Sequence, residues 1–375
     1  MRIVIVGAGI AGLTLAVALR RHGITPVVLE QSHHPAPPGT GVQVPPSVVH
    51  RLRRIGLGEA LDRRGVRPTG VDVLDWRDGS PLEELTLGPD CERRFGAPYY
   101  TMLRSELHAT LLEALPAGTV RTGSYVTDVL DGTDVVTLCC ADGTRVRAEA
   151  VIAADGAHST VRQAVLPAVP RPLQLRVCRG LAPAARLPDT GEARIRVWPR
   201  ADRYFTCYPV EGGHTLSFGA VLPSEPGQLE SWAPRRRIDD LLAAFAGWSD
   251  EVTGLVAAAE WIGVWTPQQL PPASTWNRGR VALMGDAAHP VLPFLPQGLA
   301  QSVEDAVALA DLLRTATGPT VEAVLERYAA ARQGQIGSLQ ELSQELLDSL
   351  TELRAASEAG VAAGPPRGLE DVGGR

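Results

Sequence analysis

The sequence predicts an α/β fold: a parallel sheet assembled from separated segments, a largely antiparallel sheet inserted between them, and helices toward the end. Three observations carry this. A β-branched run, Ile3 to Val6, passes through Gly7-Ala8-Gly9-Ile10-Ala11-Gly12 into an apolar helical stretch and then a second strand, Thr25 to Glu30. From Arg171 to Trp265 short strands alternate with turns. A further apolar strand, Gly279 to Met284, precedes helical periodicity from Gly298 to about Arg314.

Each element follows from its own residues. The uncharged stretch Ile3 to Leu19 behind Met1-Arg2 has the look of a leader peptide, but it divides into strand, glycine turn and helix. That helix stops at Arg20-Arg21-His22-Gly23, basic residues followed by glycine, which is how helices end. A cytoplasmic protein is the expectation. After the Pro- and Gly-rich loop Pro35 to Pro46, the residues Val48, Val49, Leu52 and Ile55 recur at helical spacing. Strands are expected over Val71 to Trp76, Val120 to Val129 and Val135 to Cys140, with a helix from Ser105 to Leu115. In the middle segment they are expected over Ile195 to Trp198, Tyr204 to Val210 and Thr215 to Val221. Val321 to about Leu353 reads as a last helix, and the Gly/Pro-rich tail from Ala355 to Arg375 has too little apolar pattern to pack.

Composition excludes several classes of function. A net charge of -6 with scattered arginines offers no basic stripe for nucleic acid and no footprint for an anionic membrane. All 36 basic residues are Arg, so no catalytic lysine or Schiff base exists. Five cysteines without CxxC spacing fit free thiols in a reducing compartment. His33-His34 has no third ligand cluster beside it, so no metal site is expected.

Chemistry concentrates in three motifs. In the first, Gly7, Gly9 and Gly12 let the backbone turn tightly and approach a pyrophosphate, which meets the free N–H groups of the helix start. Glu30, ending the next strand, suits ribose hydroxyls, and with it the unit is a Rossmann-type dinucleotide site. Whether the dinucleotide is NAD or FAD stays open on this motif alone. The second is Ala153-Ala154-Asp155-Gly156-Ala157-His158-Ser159-Thr160-Val161-Arg162. The third is Gly285-Asp286-Ala287-Ala288-His289-Pro290, continuing through Pro293 and Gln297-Gly298 to Glu304-Asp305-Ala306. A carboxylate at the carboxyl end of a parallel strand, as Asp286 is, lies where such sheets bind ligands.

In this order the motifs resemble the class A flavoprotein monooxygenases, which include salicylate-type and para-hydroxybenzoate-type hydroxylases; the likeness runs to about Arg332. It implies FAD as cofactor, reduced by a transient NADH or NADPH, with dioxygen then forming a flavin hydroperoxide that hydroxylates a small aromatic molecule. It also implies that Asp286 contacts the ribityl chain and that Pro293 to Leu299, Gly298 included, lies along the flavin ring. By the same resemblance Arg104 reaches the FAD linker, Val126 lies near adenine, and Ala11, Gln31 and Asp155 belong to the cofactor site. A helix starting near Gly298 would aim its positive end at the flavin, favouring the anionic reduced form. The chain departs from the family pattern at Pro296, Ser47 and Gln31.

The implied division is an FAD-binding domain over 1–70, 101–170 and 271–330, a substrate domain over 71–100 and 171–270, a helix over 331–354 and a disordered tail over 355–375. In the middle sheet Arg203, Tyr204, Tyr208 and His214 are the polar candidates for orienting a phenolic or heteroaromatic acceptor, between aromatic walls at Trp198, Phe205 and Phe218. Epoxidising and Baeyer–Villiger chemistry on the same fold, and a flavoprotein that only shields an intermediate, remain alternatives. Flavin-dependent prenyl reductases share the Asp-Gly and Gly-Asp motifs, but His289-Pro290 favours the hydroxylases.

Overall fold

The computed structural model describes residues 1–33, 40–130, 132–166, 171–188, 191–200, 202–224, 236–270, 275–290 and 297–337. Its first sheet has the order Asn277–Arg278, Val281–Leu283, Ala150–Ala153, Ile3–Val6, Val27–Leu29, Val120–Arg121. All neighbours are parallel except the first pair. Both faces are covered, as parallel sheets require. Ile3, Ile5 and Ile152 pack under the helices Ile10–Arg21 and Gln297–Leu313. Val4, Val6 and Val151 pack on the opposite face with the small antiparallel sheet Val126–Leu130, Val136–Cys140, Arg145–Ala148. The chain runs from Ile3–Val6 to Val27–Leu29 on one side, and Ala150–Ala153 returns on the other. That reversal opens a crevice at the carboxyl ends of the central strands.

The second sheet has seven strands in the order Trp261–Trp265, Leu175–Pro183, Thr215–Pro223, Arg203–Val210, Arg194–Arg200, Gly70–Leu74, Pro81–Thr86. It is antiparallel except where Arg194–Arg200 meets Gly70–Leu74. Period-two alternation divides its side chains between two faces. Phe205, Cys207 and Phe218 pack on the helices Arg236–Ala244 and Asp250–Ala257, together with Phe245 and Trp248. Tyr204, Tyr208 and Val210 point the other way, against Leu103 and Tyr99. These two lead to a ribbon, Gly41–Val44 paired with Tyr100–Leu103, that lies between the large sheets.

Three expectations need correction. The middle segment is not strands and turns alone, since it contains two helices; Ile238, Leu241, Leu242 and Phe245 have the i, i+3, i+4, i+7 spacing of one of them. The single strand expected over Val120 to Val129 breaks at Gly123, whose φ of 68° turns the chain into a separate sheet. Trp198, Phe205 and Phe218 line no acceptor site, because they form the core between sheet and helices. The last helix is described over 321–337, and the remainder of that expected element and the tail lie outside the described residues. The five cysteines are free, and no helix among the described residues is long and apolar enough to cross a membrane.

Candidate active site

Three loops meet at the crevice. Gly7 has a φ of 101°, and a Cβ there would lie 2.4 Å from the carbonyl oxygen of Ala154, so the turn after Ile3–Val6 packs directly on the turn after Ala150–Ala153. A Cβ on Gly12 would lie 2.0 Å from the carbonyl oxygen of Gly7, whereas Gly9 faces open space. The loop is therefore closed on the protein side and bare on the ligand side, with Ala11 in the first turn of the helix. Glu30 accepts the N–H of Ala8 and the N–H of Ser32, both at 2.8 Å, which fixes its carboxylate beside the glycine loop. Gln31 is exposed next to it. Ser124 donates its N–H to the Glu30 carbonyl oxygen at 2.8 Å, bringing the start of the Val126 strand to the same end of the sheet; Val126 itself is buried.

Asp155 accepts N–H groups of Thr160 at 3.0 Å and Val161 at 3.3 Å on one oxygen; the other is buried without a hydrogen-bond partner among the described residues. Burial raises its pKa, with Ser159 and the backbone N–H groups opposing. Arg162 is buried, and its guanidinium reaches the carbonyl oxygens of Ala157 and Ala287, tying this turn to the one carrying Asp286.

Asp286 and Arg104 are exposed yet strongly desolvated, as groups on the wall of a recess open to solvent are. Burial raises the Asp286 pKa against the pull of His289 and Arg104; burial lowers that of Arg104 while Asp286 supports its charge. Gly298 and Leu299 sit in the first turn of Gln297–Leu313, and Pro293 and Pro296 lie outside the described residues. A bare glycine loop at a helix start, an anchored acidic residue, an orphaned buried carboxylate oxygen and a cationic side chain fit FAD: the loop would suit a pyrophosphate, Glu30 a ribose and Asp286 a polyol chain.

Across the cleft, the ribbon-facing side of the seven-stranded sheet carries the polar groups. The Tyr99 hydroxyl donates to Gln43 Oε1 at 2.7 Å. Burial raises the pKa of Tyr99 and Tyr208 and pushes Tyr204 up to about 12, so all three keep their protons at neutral pH. Arg179 donates to the Gly41 carbonyl oxygen at 3.2 Å, stacks over Trp265 at 5.5 Å, and acts electrostatically on both Arg104 and Tyr208. Gly219 lies between Arg179 and Thr206 in the register, and a Cβ there would meet only Thr206 Cγ2, at 3.5 Å. The sheet thus has a hollow at Gly219; among the described residues Arg179 lies beside it, Tyr204 and Tyr208 share its face, and Tyr99, bonded to Gln43, packs against them.

Of the four acceptor candidates read from the sequence, the structure brings Tyr204 and Tyr208 to this face and takes two away. Arg203 bonds Asp202 and the Ala244 carbonyl oxygen on the helix side, and His214 is exposed at the turn joining Arg203–Val210 to Thr215–Pro223. Sequence reasoning passed over Gln43, Tyr99, Arg179 and Gly219. Arg179 had only a weak signal, since a second charge, Arg176, stands three residues before it in the same strand. Tyr99 and Gln43 had none, since their meeting depends on the ribbon.

Residues 1–340 match the family model described as FAD binding domain. The chain is 40% identical over 348 residues to a 3-amino-4-hydroxybenzoate 2-monooxygenase of Streptomyces platensis, covering 92% of this chain and 87% of that protein. It is 33% identical over 352 residues to the 6-hydroxynicotinate 3-monooxygenase of Pseudomonas fluorescens, covering 92% and 90%. Among solved structures, Klebsiella pneumoniae HpxO complexed with FAD and uric acid superposes with a TM-score of 0.84 at 28% identity, over 96% of this chain and 92% of that one. A salicylate hydroxylase substrate complex superposes with a TM-score of 0.76 at 26% identity, over 96% and 94%.

Proposed function

Because the chain belongs to the FAD binding domain family and is an FAD-dependent aromatic monooxygenase, we propose that it uses NADH or NADPH and dioxygen to hydroxylate a phenolic or heteroaromatic ring bearing a carboxylate. The observation that carries this reading is the rim of the Gly219 hollow. Its walls at Tyr204, Tyr208 and Val197 are flat and largely apolar, while Arg179 supplies a cation and Tyr99, Gln43 and Tyr208 supply sparse orienting contacts. The relatives named for 3-amino-4-hydroxybenzoate, 6-hydroxynicotinate and 3-hydroxybenzoate support the carboxylate.

FAD supplies the redox chemistry: it accepts electrons from the nicotinamide and activates oxygen. The chain's residues bind and orient. Asp286, Glu30, Arg104 and the Gly7 to Gly12 loop would hold the cofactor. Arg179 takes the substrate carboxylate, and the Gln43 amide and the phenols fix the ring's hydroxyl or amino group, which would present one ring carbon to the bound cofactor. The Tyr204 and Tyr208 wall excludes water from that space. Among the described residues this rim holds no carboxylate and no imidazole, so the electron donation that makes the ring nucleophilic comes from the substrate's own hydroxyl or amino group.

The test is oxygen uptake with NADH and with NADPH across hydroxybenzoates, aminohydroxybenzoates, hydroxynicotinates and the matching phenols without a carboxylate. Carboxylate-bearing rings should stimulate uptake and yield hydroxylated product. Equal stimulation by the uncharged phenols would remove the role given to Arg179, and no stimulation by any aromatic would overturn the reading.

A further inference from the structure

Behind the turn that carries Asp286, and bonded to its backbone, lies a buried ionic group. Asp305, on Gln297–Leu313, has no exposed surface, and His289 and Arg332 beside it are 1% and 4% exposed. One Asp305 oxygen accepts the N–H of Gly285 at 2.9 Å and lies 2.6 Å from His289 Nε2. The other accepts Nε–H of Arg332 at 2.6 Å. The remaining Arg332 donors go to Gln301 Oε1 at 2.6 Å, to Glu304 and to Gln335. Tyr328, one helical turn before Arg332, places its hydroxyl 3.4 Å from the carbonyl oxygen of Leu283. The His289 ring stacks on Trp276 at 4.8 Å. Gly285, just before Asp286, is therefore bonded to this carboxylate directly, and His289, whose backbone N–H donates to the Gly285 carbonyl oxygen at 2.9 Å, closes the turn around Asp286 onto the same carboxylate.

We propose that Arg332 is a positioning residue for FAD: by pairing with Asp305 it keeps that carboxylate in place as the joint acceptor for Gly285 and His289, and so holds Asp286 toward the cofactor. The helix over 321–337 thereby acts on a site it does not touch. A buried carboxylate is tolerated only while paired, so removing the guanidinium leaves an uncompensated charge next to the turn. Burial pushes the Asp305 carboxyl up, but His289, Arg332 and the Gly285 N–H together hold it below its usual range. The other groups facing it are Asp286, whose charge repels it, and the Tyr328 hydroxyl; Glu304 reaches it through Arg332. Without Arg332 the balance shifts toward protonation, and a protonated Asp305 is a poorer acceptor. The loss must then deepen as pH falls.

The inference depends on the FAD cradle and not on the substrate. Apoprotein of the wild type, Arg332→Met, Asp305→Asn and the double variant is titrated with FAD between about pH 6 and pH 9, following flavin fluorescence. Arg332→Met should raise the FAD Kd about tenfold or more, with a larger factor at the acid end, and Arg332→Lys should restore part of the affinity. In the Asp305→Asn background, Arg332→Met should change the Kd by less than about threefold, since the pair acts as a unit. A wild-type Kd and pH profile for Arg332→Met, or full additivity in the cycle, overturns the proposal. Should Arg332→Met fail to fold, Arg332→Lys and Arg332→Gln carry the same cycle with the same two outcomes.

Discussion

The N–H of Gly41 donates to Ser217 Oγ at 2.9 Å, and the carbonyl of the same glycine accepts from Arg179, so both polar atoms of one residue in the ribbon are held by the seven-stranded sheet. Gly41 sits two residues before Gln43, and its strand partner is Leu103, next to Arg104. This contact fixes the ribbon, and with it the start of the strand's partner segment at Arg104, against the seven-stranded sheet.

A side chain at position 41 should therefore disturb catalysis before cofactor binding. A Cβ there would lie 2.5 Å from Ser217 Oγ and 2.6 Å from Tyr208 Cε2. Gly41→Ala should cost about 1 to 3 kcal/mol of stability and divert NAD(P)H oxidation to hydrogen peroxide, while purified protein stays yellow. A variant with wild-type melting temperature and coupling would show that the ribbon adjusts freely.

Asp286 should trade stability for cofactor binding. Its folded-state pKa is raised, so the ionised form costs stability that is absent below the unfolded carboxyl value and grows as pH rises through the folded one. Asp286→Asn should make the apoprotein more stable at neutral pH than the wild type, with the gain vanishing in acid. FAD binding should weaken by about 1.5 to 3 kcal/mol, the worth of a charge-assisted hydrogen bond. Melting curves of apoprotein across pH, paired with FAD titration, measure both, and a destabilised apo variant would contradict the sign.

The two faces of the Arg203–Val210 strand should behave differently on mutation. Tyr204→Phe, Tyr208→Phe and Tyr99→Phe should leave FAD bound and raise the peroxide fraction during turnover, because a misplaced acceptor loses its near-attack geometry. Arg203→Ala and His214→Ala should leave the peroxide fraction unchanged. The reverse ranking would place the acceptor on the helix side of the sheet.

Gly219→Val should test the hollow itself. The first added carbon finds only ordinary contact with Thr206, so the protein should fold and bind FAD normally. The branched methyls then occupy acceptor space, and kcat/KM for the preferred ring should fall by at least about tenfold. Unchanged kinetics with the same substrate would mean that the ring lies elsewhere.

The FAD-binding fold of this protein was legible in the sequence because the residues that build it act through the backbone near them. The Gly7 to Gly12 turn, Glu30, Asp155 and Asp286 each stand at the end of a short apolar strand, and strand followed by glycine or aspartate is a local pattern whose geometry is nearly independent of the rest of the chain. The acceptor half was not legible, for two physical reasons. In the central strands of the second sheet both faces are buried, so alternation does not tell which of Tyr204 and Phe205 looks toward the ribbon; only packing against the helices Arg236–Ala244 and Asp250–Ala257 decides it. And the rim depends on residues far apart in the chain, Gln43 with Tyr99 and Gly41 with Ser217 and Arg179, whose bonds exist only once the segments are brought together; the same holds for Arg332 with Asp305 behind the Asp286 turn.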